Sequence, residues 1–510
     1  MLFGAGQAGE TSSSGKLEEV GFNASGLPVV DKQITVNSLI ARAGHLPIPF
    51  QEMTLLNKLN EMTNINIVFE EIPTAQVREK VNLMFASREF PDVFFDAGVS
   101  DRNLWEAAQG GDVYPLNDLI DEYSPNWKRA FVERPTLKRE ITFPDGNVYS
   151  LPYTRDIEND YLIRDIQAFN VDWMNQLGLE MPTTTEEFYQ VLKAFRGAID
   201  DGRLPKNGIP WYFRFHQWVG GEFEAYGAHG IWIKNSSYLS VNNGKVEFGA
   251  VDPTLLNALD FLHKLYAEDL IAEEAFTDDW NTYLSKIRSD PPITGLHGTY
   301  FIPENFEEAY DPLPPYKAPG VAKQLFRSQP IRVEKNQFTI MKKFEYPEAM
   351  VRWIDYTADD LWSIQLSYGP IGVTIDDNGD GTYLAHGVSA EYLQHSPHNF
   401  IPAYISNRIA EKITWTRDQG RRGDYATGIY KPFVWPQDRH YPRVMYTDSE
   451  QDEIAILETE VRSYVKSTLA DWIVNGGARD GWDDYLKQLD KLGLEKLMGI
   501  YQTALDRFNS

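Results

Sequence analysis

Phe90-Pro91-Asp92-Val93-Phe94-Phe95-Asp96, followed by Ala97-Gly98 and by Asp101 to Gln109, decides how this chain is read. A short apolar run ended by an acid and a glycine is a buried strand leaving a sheet, with a loop at its carboxyl end. Asp101 to Gln109 reads as a helix returning, and Gly110-Gly111 breaks it before Val113-Tyr114-Pro115-Leu116-Asn117-Asp118-Leu119-Ile120. Open α/β proteins hold ligands in loops at the carboxyl ends of parallel strands, so the Asp96 loop is the first place to expect a site.

Upstream, Ile34, Val36, Ser38 and Ile40 alternate as a strand, and Leu55, Leu59 and Met62 follow at helical spacing. Ile65, Ile67 and Phe69 alternate again, and Val77, Val81 and Met84 mark a second helix leading to Val93. This is β-α-β-α-β, whose right-handed crossovers imply a parallel sheet. Downstream, Pro144-Asp145-Gly146-Asn147 turns a hairpin into Val148 to Tyr153.

A second set of elements begins after Tyr153. Pro182-Thr183-Thr184-Thr185-Glu186-Glu187 is a helix-capping signature ahead of Phe188, Val191, Leu192 and Phe195. Leu255, Leu259, Leu262 and Tyr266 mark another amphipathic helix; Ile293 to Ile302 reads as strand and loop, and Gln337 to Met341 as a strand. A helix from about Pro347 carries Met350, Trp353, Ile354 and Tyr356. A long helix from Glu450 puts Leu457, Val461 and Tyr464 on one face and stops before Gly476-Gly477, and Trp482 to Phe508 is helical again.

The 510 residues leave room for two large lobes, and 42% hydrophobic content guarantees a sizeable core. The formal charge of −26 argues against a nucleic-acid partner and against adhesion to anionic lipid. Cysteine is absent, which removes disulfides, thiolate metal sites and Cys nucleophiles. No run approaches the ~18 apolar residues of a membrane span. Residues 1–30 have tether composition, and Leu2-Phe3-Gly4 ahead of Ala5 resembles a lipoprotein cleavage site with Ala5 where the lipidated Cys would stand; a cloning remnant reads equally well.

Phe90-Pro91-Asp92-Val93, Leu116-Asn117-Asp118-Leu119-Ile120-Asp121, Pro144 to Tyr149, Leu151-Pro152-Tyr153, Asp172-Trp173-Met174-Asn175-Gln176-Leu177-Gly178-Leu179, Pro182 to Phe188, Trp482-Asp483-Asp484-Tyr485 and Gly493-Leu494 together resemble the extracellular solute-binding proteins of bacterial carbohydrate ABC importers. The similarity spans Ile34 to Phe508 and is strongest to the large oligosaccharide- and alginate-binding members. The resemblance implies a two-lobed α/β fold of the periplasmic-binding-protein type II class, with an inter-lobe ligand cleft and a multi-segment hinge. The expected lobes are 31–153 with 293–343 and 154–292 with 344–510. It also implies a monomer at the outer face of the cytoplasmic membrane, anchored there only by an amino-terminal lipid and delivering an oligosaccharide to a membrane permease without chemistry.

Sugars present apolar C–H faces and hydroxyl rims, so their sites pair aromatic rings with planar polar groups. Clusters of that kind lie at Tyr153 to Asp156, Trp211 to Trp218, His297 to Phe301 and Lys431 to Trp435. The candidate ligand residues are therefore Tyr153, Arg155, Tyr300, Trp211, Arg214, Trp218, His297 and Trp435, with Asp96 and Asn103 as hydroxyl partners in the opening loop. For any single ring, the core is the commoner home.

No cofactor is expected. Alginate-binding relatives carry an acidic calcium loop after the helix corresponding to Glu186 to Phe195, whereas Arg196 to Gly208 here lacks alternating Asp and Asn ligands. Asp376, Asn378 and Asp380 occupy positions one, three and five of a calcium-loop pattern, but the twelfth position is Gly387, so a polar hairpin tip explains them better. His395 and His398 have metal-like spacing, interrupted by Pro397. Nucleophile-elbow, zinc-hydrolase and P-loop motifs are missing. A glycan-active hydrolase and a surface glycan adhesin are the alternatives that stay open on these residues.

Overall fold

The structure is a computed structural model that describes residues 13–155, 166–215, 221–231, 238–299, 309–322, 325, 333–386, 391–415 and 426–510. The chain divides into two compact units. Unit 1 comprises Met1–Ile157 and Ile331–Thr416, and unit 2 comprises Glu158–Pro330 and Arg417–Ser510.

Unit 1 is built on a six-stranded sheet of β1 (Ile34–Arg42), β2 (Ile65–Pro73), β3 (Val93–Phe95), β4 (Leu151–Arg155), β11 (Val333–Ile340) and β14 (Ala403–Ile405), in the order β14-β4-β11-β3-β1-β2. β1 pairs in parallel with β2 and β3, β14 pairs in parallel with β4, and β11 runs antiparallel to its neighbours. Val93, Phe94 and Phe95 are all buried, as a central strand covered on both faces requires. Phe95 meets Phe338 at 5.3 Å and Trp353 at 5.8 Å between ring centroids, at the middle of a core that also holds Val36, Ile67, Leu151, Met350 and Ile354. A small sheet of β12 (Ile375–Asp377), β13 (Tyr383–Ala385) and β15 (Ile413–Trp415) completes the unit.

Unit 2 has a four-stranded sheet of β5 (Ile166–Asn170), β6 (Ile209–Tyr212), β9 (Thr294–Thr299) and β10 (Tyr310–Pro312), in the order β10-β5-β9-β6, and a hairpin of β7 (Leu239–Asn242) and β8 (Lys245–Phe248). The helix Thr185–Asp200 begins with a capping box between Thr184 and Glu187 and buries Phe188, Val191, Leu192 and Phe195. It lies so close to β9 that a Cβ on Gly295 would stand 2.4 Å from the Phe195 ring, so only glycine permits this packing. Asp448–Asn475 carries a second capping box, between Thr447 and Glu450, and ends at Gly476 with φ 76°.

Three sequence assignments come out differently. Within residues 1–30, expected as a tether, Ser13–Val20 form a helix and Val20, Val29 and Val30 are buried in the unit 1 core, because a few apolar residues find partners there that local composition does not show. Thr294–Thr299, expected with the amino-terminal lobe, pairs with β5 and β6 in unit 2, where Leu296 joins the core around Phe169, Phe195 and Trp211. The stretch after 344, expected with the carboxyl-terminal lobe, supplies Pro347–Asp355, Asp360–Tyr368 and β12 to β15 to unit 1. In each case the deciding contact is a long-range core contact rather than a local pattern.

Candidate functional site

The strand directions in unit 1 gather the carboxyl ends of β1, β3, β4 and β14 at one edge of the sheet, beside the amino end of β11. Tyr153 and Arg155 alternate on β4 and so share a face. The Arg155 guanidinium lies 5.3 Å from the Tyr153 ring centroid and 4.9 Å from that of Tyr368. Its Nη1 donates to the Tyr368 hydroxyl at 3.1 Å, and its Nε donates to the Tyr153 hydroxyl. A third phenol, Tyr392, is wholly buried nearby; burial above all holds it well above the ordinary tyrosine value, and it donates to Ser367 O beside His398 Nδ1. A buried cation held by phenol rings and hydroxyls presents planar donors of the kind that bond sugar hydroxyls. The reading of Tyr153 and Arg155 had no local cue for Tyr368 or Tyr392, which lie more than 200 residues away along the chain.

Asp96 leaves β3 with φ 29°, and its carboxylate accepts from Gln337 Nε2 at 2.8 Å. The amide of Asn103 donates to Asn82 Oδ1 at 3.0 Å, and its backbone N–H donates to the Ser100 hydroxyl, so Asn103 fastens Asp101–Gln109 to the neighbouring helix Thr74–Ser87.

In unit 2, Trp211 is 0% exposed, edge-on to Phe188 at 5.4 Å, and Trp435 is buried against His229 at 5.5 Å with Arg439 over its ring. Trp211 belongs to the unit 2 core, whereas Trp435 sits among the polar rings and guanidinium of His229, His440 and Arg439. The Arg214 guanidinium stands 5.8 Å from the Trp280 ring centroid. Tyr300 and Trp218 lie outside the described residues. Sequence reading missed a second polar group, in which the fully buried Glu222 accepts from Gln167 Nε2 at 2.7 Å and from the Tyr316 hydroxyl at 3.2 Å. Glu222 lies on the short helix Gly221–Ala225, whose few residues carry too little periodicity to be read.

His297 is also fully buried. The Tyr310 hydroxyl donates to Thr294 O at 3.1 Å, and Thr294 Oγ1 stands 2.9 Å from that hydroxyl and 3.2 Å from His297 Nδ1. The Thr294 proton then goes to Tyr310, which leaves His297 Nδ1–H as the donor to Thr294 Oγ1 and Nε2 as a buried lone pair. Burial pushes the imidazole down to about 3, so it is neutral in the fold. Below its unfolded value of about 6.5 the unfolded chain takes a proton that the fold refuses, and each further pH unit removes about 1.4 kcal/mol. Denaturation midpoints of wild type and His297→Gln measured from pH 7 to 4.5 are expected to converge or cross as the pH falls, because only the wild type carries this acid penalty. Curves separated by a constant interval would contradict the assignment.

The calcium candidates resolve into a hairpin tip between β12 and β13. Asp376 bonds His386 Nε2 at 2.9 Å, and Asn378 and Asp380 both bond the Thr382 hydroxyl. In the loop after Thr185–Asp200, Arg203 hydrogen-bonds Asp201 at 2.8 Å and holds its carboxyl below the usual range. Among the described residues no three His, Cys, Asp or Glu side chains are grouped to hold a metal.

The sequence profile described as bacterial extracellular solute-binding protein matches residues 47–359. The chain belongs to that family. This solute-binding protein is 30% identical over 520 residues to the fructooligosaccharide ABC transporter substrate-binding protein FusA of Streptococcus pneumoniae, covering 97% of this chain and 93% of FusA. The structure of FusA in complex with kestose superposes with a TM-score of 0.78 at 28% identity, covering 93% of this chain and 99% of that one. The lipoprotein LipO of Bacillus subtilis is 27% identical over 49% of this chain and 46% of LipO. An extracellular solute-binding protein from Bifidobacterium longum subsp. infantis shares the fold, with a TM-score of 0.81 at 20% identity over 94% of this chain and 99% of that one. The solute-binding protein described here is thus the substrate-binding component of a carbohydrate ABC transporter.

Proposed function

We propose that this protein captures a neutral fructooligosaccharide and delivers it to the permease as a monomer, tethered in its native form by a lipid on a cysteine at the position of Ala5. The observation that carries the ligand class is the 30% identity sustained along 97% of the chain to FusA. Leu2-Phe3-Gly4 ahead of Ala5 and the similarity to a lipoprotein support the tether. Asp96, Tyr153 and Arg155 in unit 1, Arg214 and His297 in unit 2, and Tyr300 and Trp218 are the proposed ligand residues. Carboxylate and guanidinium groups accept from and donate to sugar hydroxyls with a geometry that hydrophobic packing alone does not supply.

Titration calorimetry against kestose, with trigalacturonic acid as the anionic comparison, tests the reading. Kestose is expected to bind with a dissociation constant on the order of micromolar or tighter, about −8 kcal/mol, and to be recovered intact by chromatography. Binding of trigalacturonic acid with no heat from kestose would overturn the ligand class, and cleavage products would overturn the binder.

A further inference from the structure

β11 does not run evenly beside β4. Glu334 pairs with Tyr153 and Phe338 with Leu151, so β11 advances four residues while β4 advances two. The surplus lies in Lys335-Asn336-Gln337, with Asn336 at φ 58°. Bulges of this kind re-aim side chains and gather near functional sites.

All three residues reach the loop that leaves β3. Gln337 holds Asp96 twice, accepting from its backbone N–H at 2.9 Å and donating Nε2 to its carboxylate at 2.8 Å. Asn336 Nδ2 donates to Val99 O at 3.1 Å and to Asp101 Oδ1 at 2.7 Å, while Asn336 Oδ1 accepts from the Ser150 hydroxyl at 2.8 Å. Lys335 pairs with Asp101. The loop is thereby clamped at its start, its middle and its end.

This arrangement is costly for the fold. Asp96 and Asn336 both occupy positive φ, where a side chain is strained, and the side-chain amide oxygen of Gln337, Oε1, is buried with no hydrogen-bond partner. Methionine at 337 would fill a similar volume without the polar penalty. Gln337 therefore earns its place by what its amide does for Asp96.

We propose that Gln337 is a positioning residue for ligand recognition, fixing the Asp96 carboxylate as a hydroxyl acceptor for an uncharged sugar ring. This rests on the reading of Asp96 as a ligand residue. A fixed carboxylate favours a neutral polyol and repels a uronate, which gives the loop a say in specificity.

The test uses the full chain, with Gln337→Met, Gln337→Glu and Asp96→Asn beside wild type. Gln337→Met is expected to melt within ~2 °C of wild type or above it. It should lose kestose affinity about tenfold and exchange the amides of Ala97 to Leu104 about tenfold faster without ligand. Gln337→Glu places a carboxyl against Asp96, so its affinity should fall further at pH 7 and recover towards pH 5 as one of the pair takes a proton. A purely structural Gln337 would give a lower melting point with unchanged affinity and no pH-dependent recovery, which overturns the proposal. Asp96→Asn binding kestose as wild type does would overturn it through Asp96. Should wild type bind no kestose, the fructooligosaccharide reading fails, and unchanged loop exchange in Gln337→Met would separately refute the clamp.

Discussion

Replacing Asp355 with alanine is expected to destabilise unit 1 by about 3–5 kcal/mol, because it leaves several buried donors without acceptors. The Asp355 carboxylate accepts from the Ser124 hydroxyl at 2.6 Å, from the backbone N–H of Asn126 at 2.9 Å and of Trp127 at 3.3 Å, and from Asn126 Nδ2 at 2.8 Å. These donors open the helix Pro125–Glu133, whose own cap residue Ser124 makes no side-chain capping bond. Asp355 is thus a cap supplied from 231 residues beyond Ser124 in the sequence. Burial raises its carboxyl above the ordinary value against the opposing pull of Ser124 and the other donors. Asp355→Asn keeps the shape and one acceptor oxygen but sets an amide against Asn126 Nδ2, for a loss of about 1–2 kcal/mol. Denaturant midpoints combined with hydrogen exchange at Asn126 to Ala130 check this. Asp355→Ala within about 1 kcal/mol of wild type, with those amides still protected, would refute the capping role.

Trp211→Ala is expected to cost unit 2 about 3–5 kcal/mol through the cavity it opens. The indole is edge-on to Phe188 and 4.8 Å from Phe213, and Phe188 itself stacks on Tyr316 at 4.8 Å and 5°, so one truncation loosens a chain of rings. Trp211→Phe keeps most of the contact and should remain folded with an unchanged kestose dissociation constant. A drop in affinity with an unchanged melting point would instead return Trp211 to the ligand.

Trp211 also shows where sequence reading reaches its limit. The run Trp211-Tyr212-Phe213-Arg214-Phe215 has the composition of a sugar subsite, and composition does not distinguish a ring that faces a ligand from one that faces the core. The alternation of β6 turns Trp211 towards Phe188, while three residues later, beyond the strand's end, Arg214 meets Trp280. Arg155 is the converse case. Both Tyr153 and Arg155 are candidates in the sequence, but the strand that carries them together, and the approach of Tyr368 and Tyr392, come only with the fold.

Signals whose physics is local are legible in the sequence, although the long helix expected from Glu450 starts at Asp448. Val93 to Phe95 is a buried strand because a continuous apolar run suits a strand covered on both faces, and the helices after Thr184 and Thr447 start where hydroxyl and carboxylate can bond the first free N–H groups. The resemblance to the family is carried by short motifs such as Phe90-Pro91-Asp92-Val93 and Leu151-Pro152-Tyr153 in their order along the chain. Strand partnership was different: Thr294–Thr299 joins unit 2 through pairing with residues more than 80 positions away, and no period in its own six residues records that choice. The same holds for the loop at Asp96. The amino-acid sequence determined that a buried strand ends there in an acidic loop; the tertiary structure alone decided that a bulge in β11 would grip it. A bulge is a mismatch between two strands, so it exists only once both have paired.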